Sequence, residues 1–167
     1  SQFVSAQSVA RRNKNDPNGD VKLFFALSNA LLDAGIACWD TKRAFDYVRP
    51  ITAVHYLYAD QPVSCWGGIG KGTVQMPGSQ WMPYQQASVV TPAFPEYPSG
   101  HSTFSAVGAY ILQQATGSDS FAEAFTAAPG GSQMEPGIAP STAVTLSWPT
   151  FSAAAAHCCR CARALPR

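Results

Sequence analysis

The residues of this sequence that could do chemistry together lie in two short clusters. The first is Pro98-Ser99-Gly100-His101, approached through Phe94-Pro95-Glu96-Tyr97 and followed by a run that reads as a helix. The first N–H groups of a helix have no internal partner and carry the positive end of its dipole, so such a start holds an oxyanion. Gly100 lets an anion approach the backbone closely. Ser99 caps the helix and can also donate to a bound oxygen. His101 is of the residue type best suited to giving or taking a proton near neutral pH. The same four residues also read as ordinary turn-and-cap chemistry, so the second cluster has to decide.

That cluster is Asp40-Thr41-Lys42-Arg43-Ala44-Phe45-Asp46-Tyr47-Val48-Arg49-Pro50. Only 13% of the chain is charged, about half the usual share, so five charged residues in eleven stand out. Lys42 and Arg49 are seven apart, and at about 100° per residue that spacing places both on one helical face. Pro50 disfavours helical geometry at Arg49, which puts Arg49 at a helix end with Pro50 opening the next helix. The competing reading is a solvated face in which Asp46 pairs with Arg43 or Arg49.

Helices are what must position these clusters. Residues 1–13 read as a short helix or the tail of one, and Lys14 to Gly19 as a breaker. Asp20 caps a long helix whose Leu23, Phe24, Leu27, Ala30, Leu31 and Ala34 recur at three- and four-residue steps. Ile51 to Tyr58 continues as a helix, with His55 as a packing or surface residue. Residues 60–97 read as a long irregular stretch, ordered by Trp66 and Trp81 into a covering loop. Within it, Gly67 to Thr73 superficially resembles a phosphate loop, but Lys71 is followed by Gly72 and no strand precedes it. Ser99 to Thr116 is a helix ended by Gly117. Ser118 to Ala128 reads as another short helix, Pro129 to Pro140 as a loop, and Ser141 to Phe151 is ambiguous. A turn at 148–152 leads into a helix near Ala153. From His157 the text becomes Cys- and Arg-rich. The division expected is a helical domain over 1–156 and an aberrant tail over 157–167.

Composition bounds the rest. A chain of 167 residues with one stretch of core-forming helices suits a single domain. A net charge of +1 gives no electrostatic case for nucleic acid or an anionic membrane. No uninterrupted apolar run reaches the ~18 residues of a membrane helix, and no signal peptide is read at the start, which opens on Ser1 as a chain lacking its N-terminal piece would. Cys38, Cys65, Cys158, Cys159 and Cys161 are odd in number and irregular in spacing, which is neither a disulfide framework nor a zinc site. The compartment and the oligomeric state stay open.

Lys42-(six residues)-Arg49-Pro50 and Pro98-Ser99-Gly100-His101, in this order with residues 51–97 between them, resemble the first two signature motifs of the vanadium-dependent haloperoxidase and type 2 phosphatidic acid phosphatase superfamily. CWDTKRAFDYVRPITAV and TPAFPEYPSGHSTFSAVGAYIL are similar to the soluble haloperoxidase branch, over roughly Asp20 to Ser152. The resemblance implies an all-α helical bundle, here incomplete, with the long loop between the two motif helices. It implies that Lys42 and Arg49 are cationic ligands of oxyanion oxygens, that Ser99 and the Gly100 N–H are donors, and that His101 is the acid–base histidine. Bidentate Arg and point-charge Lys suit a tetrahedral oxyanion.

The cofactor implied is vanadate, the substrates hydrogen peroxide and a halide, and the product hypohalous acid. The alternatives are a phosphomonoesterase acting on a phosphoester in the same pocket, and a non-catalytic helical fragment. The third motif, Ser-Arg-(five residues)-His, is absent, since no Ser-Arg dipeptide occurs. His157 is the one His after His101 and lacks that context, so no residue matches the family's vanadium-binding histidine. The chain is therefore expected to be truncated or frame-shifted before that motif, an inactive fragment with its tail from His157 poorly ordered.

Overall fold

The structure, a computed structural model, describes residues 2–86 and 88–163. The elements run α1 (Gln2–Asn13), α2 (Pro17–Phe45), α3 (Pro50–Leu57), β1 (Pro62–Trp66), β2 (Thr73–Pro77), α4 (Gly100–Thr116), β3 (Ser120–Ala127), β4 (Val144–Thr150) and α5 (Phe151–Arg163). The chain divides into two compact units, one of Ser1–Phe45, Tyr97–Ala124 and Ser147–Arg167, the other of Asp46–Glu96 and Phe125–Leu146.

The first unit is a helical assembly with one apolar core. Ala6, Val9 and Ala10 of α1, Leu23 and Leu27 of α2, Leu112 of α4, Phe121 of β3 and Phe151 of α5 are buried together. Their spacings within α1 and α2 are the three- and four-residue steps of a helix face. Phe121 and Phe151 stack at a tilt with ring centres 4.8 Å apart. Helix ends are secured by side chains. Asp16 Oδ1 accepts from the Gly19 N–H at 2.6 Å, so α2 begins at Pro17 rather than after Asp20, with proline at its first position where its missing N–H is harmless. Gly117, at φ 65°, closes α4 in the left-handed conformation. At α5, Asp119 Oδ1 accepts from Ser152 N–H at 3.0 Å and Thr150 Oγ1 from Ala153 N–H at 2.9 Å. This helix runs through His157 to Arg163, and residues 164–167 lie outside the described residues.

The second unit holds α3 and the antiparallel hairpin β1–β2, paired from Pro62↔Pro77 to Trp66↔Thr73. The glycine-rich Gly67–Gly72 is its turn: Gly67 N–H donates to Gly72 O at 2.8 Å and Lys71 N–H to Gly68 O at 3.1 Å. A 3-10 turn, Gly78–Gln80, packs against the end of α3 so closely that a Cβ at Gly78 would lie 2.2 Å from the Tyr58 carbonyl oxygen. His55 Nε2 sits 2.8 Å from Trp81 O, in keeping with a packing role.

The architecture is about half helical with short sheets, not all-α. Residues 60–97 contain the hairpin and the 3-10 turn, with no regular element among the described residues from Trp81 to Ser99. The short helix expected over 118–128 is strand β3, which pairs with β4. Alanine and glutamate give this segment helical propensity, but Phe121 reaches the core and Thr126 meets Thr145 across the ladder at 2.8 Å, so the partner strand decides. The stretch Pro17–Leu57 is long and apolar enough, by length and composition alone, to cross a membrane, with a best window of mean hydropathy 1.5. Its Leu23 and Leu27 sit in the apolar core just described, whereas Val21, Phe25, Leu32 and Ile36 are exposed.

Candidate functional site

The last turns of α2 and the first turn of α4 build the part of the expected site that lies in the first unit. Lys42 is 2% exposed, and its Nζ stands 5.8 Å from the centre of the Trp39 ring one turn back. The contact is a cation–π arrangement, with the aliphatic stem taken out of water along the helix. The same indole also meets α4. A Cβ at Gly100 would lie 3.3 Å and 3.4 Å from two Trp39 ring carbons, and the Phe104 ring centre is 6.2 Å away. Glycine at position 100 therefore lets the start of α4 come up against the ring on which the Lys42 ammonium rests. Two further contacts hold the approach to α4 along α2: Cys38 Sγ lies 3.9 Å from Pro98 O, and Phe45 meets Tyr97 edge-on with ring centres 5.3 Å apart.

Ser99 has the extended backbone of an N-cap, φ −68° and ψ 117°, and its Oγ accepts from the Ser102 N–H at 3.3 Å. Its carbonyl accepts from both the Thr103 N–H and the Thr103 Oγ1, each at 3.0 Å. Because the Ser99 hydroxyl acts as acceptor in the cap, its own proton stays available to a second oxygen. The N–H groups of Gly100 and His101, first and second in the helix, have no partner within it. The His101 side chain is exposed.

Arg49 belongs to the second unit. Helix α2 stops at Phe45, and Asp46 takes φ 44° in the left-handed region. Lys42 and Arg49 therefore do not share one helical face. Arg49 is instead the N-cap of α3, at φ −70° and ψ 145°, with Pro50 at the first helical position, as the sequence implies. Its guanidinium carbon is 4.9 Å from the centre of the Phe94 ring, and its buried Nε has no hydrogen-bond partner. An orphaned charged donor out of water suits an anionic oxygen.

Lys42, Ser99, Gly100 and His101 thus share a unit, and both Lys42 and Gly100 meet the Trp39 ring. Sequence reasoning passed over Trp39; its position three residues before Lys42, one turn apart on a helix, is the signal that could have found it. His157 lies on α5, exposed, with Trp148 edge-on at 5.8 Å. No group of three or more His, Cys, Asp or Glu side chains that could hold a metal ion occurs among the described residues. The donors present fit the oxygens of a tetrahedral oxyanion such as vanadate or phosphate.

Comparison with known proteins places these elements. A holo-type bacterial vanadium-dependent chloroperoxidase superposes with a TM-score of 0.85 and 27% identity, over 97% of this chain and 34% of that one. An apo-type bacterial vanadium-dependent chloroperoxidase superposes with a TM-score of 0.72 and 30% identity, over 83% of this chain and 29% of that one. The chain spans about a third of the length of these chloroperoxidases. No curated protein matches. The sequence model of the VCPO second helical-bundle domain matches residues 22–164, past the point at His157 where the resemblance was expected to end. The chain therefore belongs to the family of the VCPO second helical-bundle domain, and through it to the vanadium haloperoxidase-like proteins.

Proposed function

We propose that this chain carries the oxyanion-binding part of a vanadium haloperoxidase-type site, with Lys42, Arg49, Ser99 and Gly100 as the oxygen ligands and His101 as the proton-transfer group. The observation that supports it best is the junction of α2 and α4. A nearly fully buried ammonium and the open amides of a helix start flank one indole, in a chain of the chloroperoxidase domain family. Lys42 and Arg49 offset negative charge on the bound oxygens, and the burial of Lys42 raises the value of its contact. The Ser99 hydroxyl and the Gly100 N–H orient the anion, with the dipole of α4 adding to the field. His101, exposed at the second position of α4, is accessible to a small substrate and can pass a proton to or from it. Bound vanadate would supply Lewis-acid activation of hydrogen peroxide for halide oxidation.

Binding and turnover separate in this chain. No residue of the sequence matches the histidine of the third motif, so the oxyanion is held while turnover is low, because groups that act as a unit lose most catalysis when one is missing. The test is a vanadate titration of the purified chain followed by vanadium NMR, with bromide- and peroxide-dependent bromination of a dye measured beside it. Saturable vanadate binding, displaced by phosphate and weakened in Lys42→Met and Arg49→Met, supports the reading. A folded chain that binds no vanadate at millimolar concentration overturns the site. Brisk hydrolysis of an aryl phosphate without any vanadate-dependent bromination would move the chain to the phosphomonoesterase reading.

A further inference from the structure

The second unit contains a cavity of about 580 Å³ that no part of the proposed oxyanion site uses. It is formed by the end of the β1–β2 hairpin, the segment after the 3-10 turn and the loop ahead of β4, all within that unit. Its volume falls inside the roughly 300–1,000 Å³ usual for small-molecule sites. Trp66, Ile69, Met82, Val89 and Met134 supply most of the apolar wall, and no lining residue carries a formal charge. The polar part of the wall is glutamine. Gln85 Nε2 donates to Val89 O at 2.9 Å, and Gln86 Nε2 donates to Gln133 O at 2.9 Å. Each of these amides spends one N–H on a backbone carbonyl and keeps its second N–H as a donor and its carbonyl oxygen as an acceptor.

We propose that this cavity is a binding site for a neutral, ring-bearing small molecule that carries a hydrogen-bonding group, of the phenol or indole class. An indole and two thioethers favour an aromatic ring, through edge and sulfur contacts. A wall without charge disfavours a carboxylate or an ammonium, which would be desolvated with nothing opposite. An aromatic hydrocarbon fills the same space but makes no hydrogen bond to the glutamine amides in place of the water it displaces.

The walls are held in place without the ligand. Glu135 Oε1 accepts from Trp66 Nε1 at 3.3 Å and from the Gly70 N–H at 3.1 Å, and its Oε2 accepts from the Tyr84 hydroxyl at 3.2 Å. Tyr84 in turn packs edge-on against Trp66 with ring centres 5.0 Å apart. Ser132 Oγ accepts from the Met134 and Glu135 N–H groups at 3.1 Å and 3.2 Å, which sets the direction of both side chains. A cavity fixed by its own hydrogen bonds loses little further freedom on binding. On the haloperoxidase reading such a ring is a natural acceptor for hypohalous acid, a role that rests on that reading, whereas the binding site itself does not.

The experiment is ligand-observed NMR on the full chain without vanadate, using phenol, indole, toluene and benzoate as probes. Phenol and indole are expected to bind saturably with Kd in the millimolar range or tighter, as suits ligands of so few atoms. Toluene should bind at least about threefold more weakly and benzoate at least about tenfold more weakly, the losses of a hydrogen bond to the glutamine amides and of an unpaired charge. Val89→Phe, at a position 49% exposed, fills the mouth and should weaken phenol by about tenfold or more without unfolding the chain. Ile69→Phe, at 60% exposure, is the second filling variant should the first fail to fold. Gln85→Met should erase the preference for phenol over toluene. The proposal is overturned if the folded chain binds neither phenol nor indole, if toluene binds as well as phenol, or if a folded filling variant binds as the parent does. Because no vanadate is present, each of these results leaves the oxyanion reading standing, and a failed vanadate titration leaves this site standing.

Discussion

At Ser99 one side chain has two jobs that can be separated. As N-cap of α4 it accepts from the Ser102 N–H, and replacing such a cap by Ala costs about 0.5–2 kcal/mol. Ser99→Asp should keep the cap, and with it the melting temperature, but place a negative charge where an oxyanion is to be held. Ser99→Ala should lower stability by about 1 kcal/mol and weaken vanadate binding less than Ser99→Asp does. Thermal melts and vanadate titrations of both variants check the order, and Ser99→Asp binding as tightly as the parent would exclude Ser99 from the site. Lys42→Met keeps the buried stem and removes the charge. A charged hydrogen bond is worth about 1.5–3 kcal/mol, so vanadate affinity should fall roughly 10- to 150-fold.

Glu135 adds a pH dependence. The Gly70 N–H first, then Trp66 and Tyr84, hold its carboxyl below its ordinary value of 4.5, against a smaller upward push from burial. A carboxylate whose folded pKa is depressed contributes stability that is fully present above the unfolded value and is lost as pH falls through the folded one. Melting temperature should therefore drop more steeply on acidification below 4.5 for the parent than for Glu135→Gln, with near-parallel curves at neutral pH.

Elements depend on how closely their backbones approach. A Cβ at Gly78 would lie 2.2 Å from the Tyr58 carbonyl oxygen, whereas a Cβ at Gly108 would lie 2.5 Å from Gln2 Oε1, the far end of a flexible side chain. Gly78→Ala must move backbone and should cost about 1–3 kcal/mol, as overpacking does. Gly108→Ala can be relieved by turning Gln2 away from Ser105, to which it donates at 3.1 Å, and should cost less. Urea melts of the two variants test the ranking, and equal losses would contradict it. The same scale explains why β3 escaped a reading of the sequence. Ser120–Ala127 shows no strict alternation of apolar and polar residues, and its strand character comes from β4, some twenty residues further on.

For the whole molecule, the core of the first unit rests on few large side chains. Phe151, 2% exposed at the start of α5 and stacked on Phe121, joins the last helix to β3. Phe151→Ala should cost about 3–5 kcal/mol, a large share of the roughly 5–15 kcal/mol that holds an ordinary domain folded. A markedly lower melting temperature in that variant, beside a nearly unchanged one in the exposed-site variant Tyr56→Ala, is the expected result. Circular dichroism of the parent should show a dominant helical spectrum with a small strand contribution, matching five helices and two two-stranded sheets among the described residues.

What the sequence by itself determined was local. The apolar spacing from Leu23 to Ala34 specified α2, Ser99 and Gly117 marked the ends of α4, and Pro50 set Arg49 at a helix start, because caps, proline and helical periodicity act within a few residues of themselves. The Lys42–Arg49-Pro50 and Pro98–His101 pair was enough to suggest the family that the domain match then established. The tertiary structure alone decided what depends on partners distant in sequence. It buried Lys42 against Trp39 and brought Gly100 to the same ring, and it broke α2 at Asp46 so that Lys42 and Arg49 do not share a face. It also turned 120–127 into a strand against β4 and folded 60–97 around a hairpin whose tip Glu135 holds from more than sixty residues away. Contacts of that range are fixed by packing and by hydrogen bonds between separate segments, which no local pattern of residues encodes.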